Sequence, residues 1–150
     1  MLTFDQKRAV LVYNKTRETF VATEAVVADS YVRRLVGLLG KTQSWARLGT
    51  GLWIVPSRGV HTIGMLFAID VIYLDAANRV IHLVEHMGPF RISPIRIRCA
   101  SILELKSRSI YLSNTQIGDE LLICAAKEMK RYCGVSRAEP AFRSATVAVE

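Results

Sequence analysis

The chain is expected to fold as one mainly β domain, sandwich- or barrel-like, with a single amphipathic helix in its N-terminal half packed on the sheet. An α+β arrangement is the alternative. Three observations carry this. Short apolar runs rich in Val, Ile and Tyr recur between turn signals along most of the sequence. Only residues 30–39 show a sustained helical repeat. The run IDVIYLD is apolar on both faces apart from its ends, as a strand covered on both sides must be. With 150 residues the chain has room for one domain and a sizeable core. The expected boundaries are 1–126 for the domain and 127–150 for a flexible tail.

Taken in order, AVLVY (9–13) and FVATEAVV (20–27) read as strands around the polar turn NKTRET. Asp29 can then cap a helix in which Tyr31, Val32, Leu35, Leu38 and Leu39 share one stripe, with Gly40 placed to stop it. LWIVP (52–56) reads as a strand ended by proline. Residues 69–75 and 79–86 form a hairpin across the turn AANR. In PIRIRCASILELK, Ile95, Ile97 and Cys99 alternate with Arg96 and Arg98, which predicts an edge-like strand with one face in and one basic face out. SRSIYLSNTQ reads as one or two helical turns, and IGDELLIC as a turn and a last strand. Beyond Ala126 the mixed charge, Gly and Pro predict a frayed tail that can begin as a helix.

Composition excludes some classes. A hydrophobic fraction of 51% with 22% charged residues rules out a chain disordered throughout. No stretch of about 18 apolar residues occurs, so no membrane span is expected. Asp5, Gln6, Lys7 and Arg8 interrupt the start before any signal-peptide core, and a reduced cytoplasmic protein is the simplest reading. Three scattered cysteines make neither a disulfide framework nor a zinc knuckle. The net charge of +7 favours acidic partners such as nucleic acid or anionic lipid, without naming one.

The segment VHTIGMLFAID (60–70) holds an imidazole, His61, and a carboxylate, Asp70, at the ends of an apolar stretch hinged at Gly64. If the loop folds back, the pair is either a shape-holding lock or two thirds of a general-base apparatus. Asp70 shares a strand face with Ile72 and Leu74, so as a buried rim carboxylate it needs a partner, His61 or a backbone N–H. Cys99 is a candidate nucleophile only if its thiol is activated. In an alternating apolar strand it reads first as a small core residue. His82 and His86 have helical ligand spacing but sit in a strand, where their Cα atoms lie roughly 13 Å apart, so no metal site is assigned. Arg91, Arg96, Arg98, Lys106 and Arg108 are the candidate anion-binding set. Only Phe90 and Tyr111 flank them, a poor stacking platform for nucleic acid. No cofactor motif is present, and none is assigned.

The stretches RRLVGLLGK, GLWIVP, HTIGMLFAIDVIYLDAANRVI, ASILELKS and IGDELLI, in that order, resemble the domain of unknown function 192 family over roughly residues 10–124. The resemblance falls on Gly37, Leu38, Trp53, His61, Thr62, Met65, Asp70, Leu74, Asp75, Leu103, Glu104, Leu105, Gly118 and Asp119. Ala68 departs from it, standing where the family usually has proline before the Ile–Asp pair. The resemblance implies a mainly β, sandwich-like fold and no established activity. It also carries a hint of secretion- or pilus-associated accessory roles.

The leading expectation is a non-catalytic binding or accessory module, its ligand or protein partner met by the loop at 61–65, with Trp53, His61, Thr62, Met65 and Asp70 as contact candidates. The second is a small hydrolase with His61 as base, Asp70 as its orienter, and water or Cys99 as nucleophile. The third is an anion or nucleic-acid binder through the five basic residues above.

Overall fold

The computed structural model describes residues 9–28 and 48–133. Within them the strands are β1 (Ala9–Asn14), β2 (Thr19–Ala28), β3 (Thr50–Ile54), β4 (Ile69–Leu74), β5 (Val80–Met87), β6 (Ser101–Lys106) and β7 (Leu121–Cys124). Two helices accompany them, α1 (Ser109–Ser113) and α2 (Ala126–Cys133). The expected amphipathic helix at 30–39 lies outside the described residues.

All the strands belong to one sheet, in the order β5-β4-β6-β3-β2-β1-β7. Neighbours are antiparallel except β2 and β3, which are parallel. A parallel pair needs a long connection, and residues 29–49 supply its length. The sheet curls until its two edges meet at one end. Val80 N–H donates to Asp119 O at 2.8 Å, Gly118 N–H donates to Val80 O at 2.7 Å, and Arg79 bridges Glu120. Mainly β, a curled half-barrel with short helices, is therefore the architecture.

Both faces of the central strands are covered, as the uninterrupted IDVIYL run requires. Side chains alternate along β4, so Ile69, Val71 and Tyr73 enter one apolar cluster with Met65, Phe67 and Ile102. Ile72 and Leu74 enter the other, with Leu103, Leu105, Val21 and Ile110. Burying each such side chain is worth about 1.5–3 kcal/mol, which makes β4 and β6 the anchor of the molecule. The β4–β5 hairpin turns at Asn78 (φ 57°), where the Asp75 carboxylate accepts the N–H groups of Ala77 and Arg79 at 2.9 Å each. The chain after β7 continues as α2, whose Met129 is buried and whose Tyr132 ring meets Tyr13 edge-on at 6.2 Å.

One expected element is overturned. Residues 94–100 are irregular, and the strand begins only at Ser101. Ile95 and Ile97 are 73% and 82% exposed, so the alternation there is not a core face. Local bonds set this conformation. Tyr73 donates its hydroxyl to Pro94 O at 2.8 Å, Arg96 N–H reaches Arg58 O at 3.0 Å, and Cys99 N–H turns back to Arg96 O at 3.0 Å. A backbone committed to these bonds cannot also join a ladder.

Candidate functional site

Between β3 and β4 the chain runs beside the segment that follows β5, and the two make a stitched ribbon. Thr62 is its hub. Its side chain is fully buried; Oγ1 donates to Gly88 O at 2.6 Å and accepts Arg91 N–H at 2.9 Å. Its N–H donates to Arg91 O at 2.8 Å, and its carbonyl accepts Phe90 N–H at 3.0 Å and Met65 N–H at 3.1 Å. Ser93 repeats the motif one step along, its Oγ accepting Val60 N–H at 2.8 Å and its own N–H donating to Val60 O at 2.9 Å. His61 and Ile92 bridge between these two ties.

With the small polar residues turned inward, the large apolar ones face out. Ile63 is 48% exposed, Leu66 75%, Phe90 67% and Ile92 75%. Phe90 is also held at φ 57°, a region that non-glycine residues avoid, while Gly64 takes φ 84° at no comparable cost. Strain of this kind persists only where neighbouring bonds over-determine it. Here the Phe90 and Arg91 amides are both tied to Thr62.

The sequence candidates are distributed differently from the expectation. His61 is exposed on the ribbon, whereas Asp70 is fully buried on β4. The expected imidazole–carboxylate contact is not formed. Asp70 Oδ1 accepts His86 N–H and Oδ2 accepts Ile110 N–H, each at 2.9 Å. Of the two partners open to Asp70, the backbone supplied it. It fixes the bulge at His86 (φ 50°) and the first turn of α1. Two charge-assisted bonds satisfy the buried carboxylate and leave it no role as the orienter of a distant imidazole.

Trp53 and Met65 do not sit together. Met65 is buried in the cluster with Phe67, while half-buried Trp53 packs on the opposite cluster, and its buried Nε1 finds no acceptor among the described residues. Cys99 is buried and donates its Sγ proton to Ser101 O at 3.1 Å; burial pushes its thiol up, the reverse of activation. His82 packs edge-on against Tyr73 at 5.0 Å, and burial, then Arg96, pulls its imidazole down. His86 Nδ1 lies 2.6 Å from Ser107 Oγ. Among the described residues no group of three or more His, Cys, Asp or Glu is placed to hold a metal ion.

The five basic candidates do not share one face. Ser101 pairs with Leu74 and Lys106 with Ile69, so the two ends of β6 lie roughly 17 Å apart. Arg96 and Arg98 precede the first end, and Lys106 and Arg108 occupy the second. Arg108 stands over the Tyr111 ring at 5.8 Å. Arg96 and Arg98 line an open groove of ≈ 720 Å³ with Arg79, Ile95, Ile97 and Ile117. Sequence reasoning missed this exposed apolar set, although Pro89 and Pro94 were a usable signal. Proline at both ends of FRIS and before IRIR argues against a ladder, and hence against buried isoleucines.

A curled, mainly β sheet carrying a polar-tied, apolar-faced ribbon is the class this geometry defines. The family model DUF192, described as Uncharacterized ACR, COG1430, matches residues 12–123, and the chain belongs to that family. A UPF0127 protein of Pyrococcus horikoshii is 30% identical over 99 residues, covering 63% of this chain and 82% of the relative. Two solved structures share the fold. One is a protein of unknown function from Novosphingobium aromaticivorans, with TM-score 0.63, 16% identity, and 76% of this chain and 83% of that one covered. The other, proposed as a transcription regulator in Sinorhizobium meliloti, has TM-score 0.65 and 14% identity, covering 82% of this chain and 97% of its own. At these identities the likeness is one of fold.

Proposed function

We propose that this chain is a non-catalytic binding module acting in the cytoplasm, and that it recognises its partner through the outer face of the ribbon. The observation that carries this reading is the display of Ile63, Leu66, Phe90 and Ile92 on a backbone that Thr62 ties at five points. Loops free to collapse would cover such side chains; these are held out at the cost of strain at Phe90. A preformed apolar surface also loses little entropy on binding. The hydrolase reading has no comparable support, because both oxygens of Asp70 are engaged by backbone and Cys99 is a buried thiol.

The test is a photo-cross-linking amino acid placed at Leu66, at Phe90, and at exposed Ala77 on the β4–β5 turn as control. In cells, recurring adducts are expected at the first two positions and not at the third, and they should disappear with Ile63→Ser. Identical adducts at all three sites, or none at any, would overturn the reading.

A further inference from the structure

We propose that the partner of the ribbon is an anionic lipid surface; this deepens the binding-module reading and rests on it. Three features of the molecule point the same way.

The first is charge. Neither residues 56–69 nor residues 87–103 contain an Asp or a Glu, while Arg58, Arg91, Arg96 and Arg98 all fall within them. Among the described residues, Arg91, Arg96 and Arg98 form no ion pair, and all three are exposed. The ribbon and the loop that extends it thus carry cationic side chains and no carboxylate of their own, on a chain of net charge +7.

The second is the interleaving of that charge with aliphatic groups. Along 90–98 the order is Phe, Arg, Ile, Ser, Pro, Ile, Arg, Ile, Arg, and Phe90, Ile92, Ile95 and Ile97 are each two thirds exposed or more. Arg96 N–H binds Arg58 O and Ser93 N–H binds Val60 O, so this segment runs beside residues 58–62. Guanidinium groups at headgroup level with aliphatic tips reaching below them is the arrangement an anionic bilayer accepts. A nucleic acid would meet the same charge but gains nothing from isoleucines, which offer no face for base stacking.

The third is rigidity. The ties from Thr62, Ser93 and Tyr73 fix the backbone at Gly88, Arg91, Val60 and Pro94, so the tips stay projected when no partner is present. Insertion then requires no unfolding of the loop.

The experiment is sedimentation of the full chain with vesicles of phosphatidylcholine alone and of an equimolar phosphatidylcholine–phosphatidylglycerol mixture. Binding is expected to the anionic vesicles only, and to weaken as salt is raised. Arg96→Gln with Arg98→Gln should weaken it roughly 30-fold. Ile92→Ser with Ile97→Ser should weaken it comparably, and Tyr111→Ser, an exposed change on α1, should leave it unaltered. All these positions are exposed, so thermal unfolding should be little changed and serves as the check on folding. Equal binding to both vesicles, or none, overturns the proposal. Loss with the arginine pair but not the isoleucine pair also overturns it, since a soluble polyanion would then explain the data. If vesicles fail while Leu66 and Phe90 still cross-link to a protein, the lipid surface is wrong and the binding module stands. If both fail, both fall.

Discussion

Glu104 lies between Leu52 of β3 and Val71 of β4, on the face of β6 that it shares with Ile102. It is 4% exposed, and burial pushes its carboxyl up to about 8. In the unfolded chain such a group titrates near about 4.3. Between these two values the folded protein binds more protons than the unfolded chain, so stability falls as pH rises. The stability present below about pH 4 is eroded up to pH 8, by at most about 1.4 kcal/mol per unit for one proton. Glu104→Gln keeps the shape and cannot ionise. Urea unfolding between pH 5 and 8 should show a falling curve for the parent and a flatter one for the variant, with the variant the more stable at pH 8. A flat parent curve would mean that a cation compensates Glu104 and that burial does not govern it. Asp70, also buried, has two backbone N–H partners, those of His86 and Ile110. Sequence showed that Asp70 needed a partner and allowed either His61 or backbone. Only the bulge at His86 and the placement of α1 decided between them, and both are long-range facts.

At the scale of elements, the strands were legible where apolar residues alternate or run on. AVLVY, FVATEAVV, IDVIYLD and VIHLVEH all became strands close to the expected bounds. The failure at Ile95 and Ile97 is instructive, because period two is necessary for a half-buried strand and does not by itself make one. The backbone of 94–100 found partners in Tyr73 and Arg58, both distant in sequence. The exposed ribbon face was missed for a related reason, since apolar residues read as core until their surroundings are known, and only the flanking Pro89 and Pro94 argued otherwise. What holds the ribbon out is Thr62, and Thr62→Val replaces its hydroxyl with a methyl group of similar size. That leaves Arg91 N–H without its acceptor and Gly88 O without its donor, both partly buried. The expected cost is about 1–3 kcal/mol. Faster amide exchange should follow at Phe90 and Arg91, with the centre of β4 unchanged. Uniform destabilisation across the sheet would instead make Thr62 an ordinary core position.

For the whole molecule, the question is how a seven-stranded sheet holds its edges together, and Asp119 is where that happens. Its carbonyl accepts Val80 N–H from β5 at one edge. Its carboxylate Oδ2 accepts Asn14 Nδ2 at 2.9 Å, Arg17 Nε at 3.1 Å and Gln116 N–H at 2.9 Å, joining β1 and the segment before β7. Gly118, at φ 95°, gives the chain the turn that brings it there. Burial alone would raise this carboxyl, but the bonds from Asn14, Arg17 and Gln116 outweigh it and hold it below the usual range. A depressed folded value means that the stability is present above about pH 4 and is lost as pH falls through the folded value. Asp119→Asn can keep its amide oxygen where Oδ2 stands but removes the charge that pairs with Arg17 and strengthens the three bonds, and should cost about 1–3 kcal/mol at neutral pH. The part of the acid limb of the stability profile that belongs to Asp119 should go with it. Amide exchange separates closure from general weakening. Val80, Gly118 and Leu121 N–H, whose bonds cross the seam, should exchange faster in the variant, while the amides between β4 and β6 keep their protection. If all amides speed up together, the sheet has no separable seam, and Asp119 supports the core as a whole instead of joining its edges.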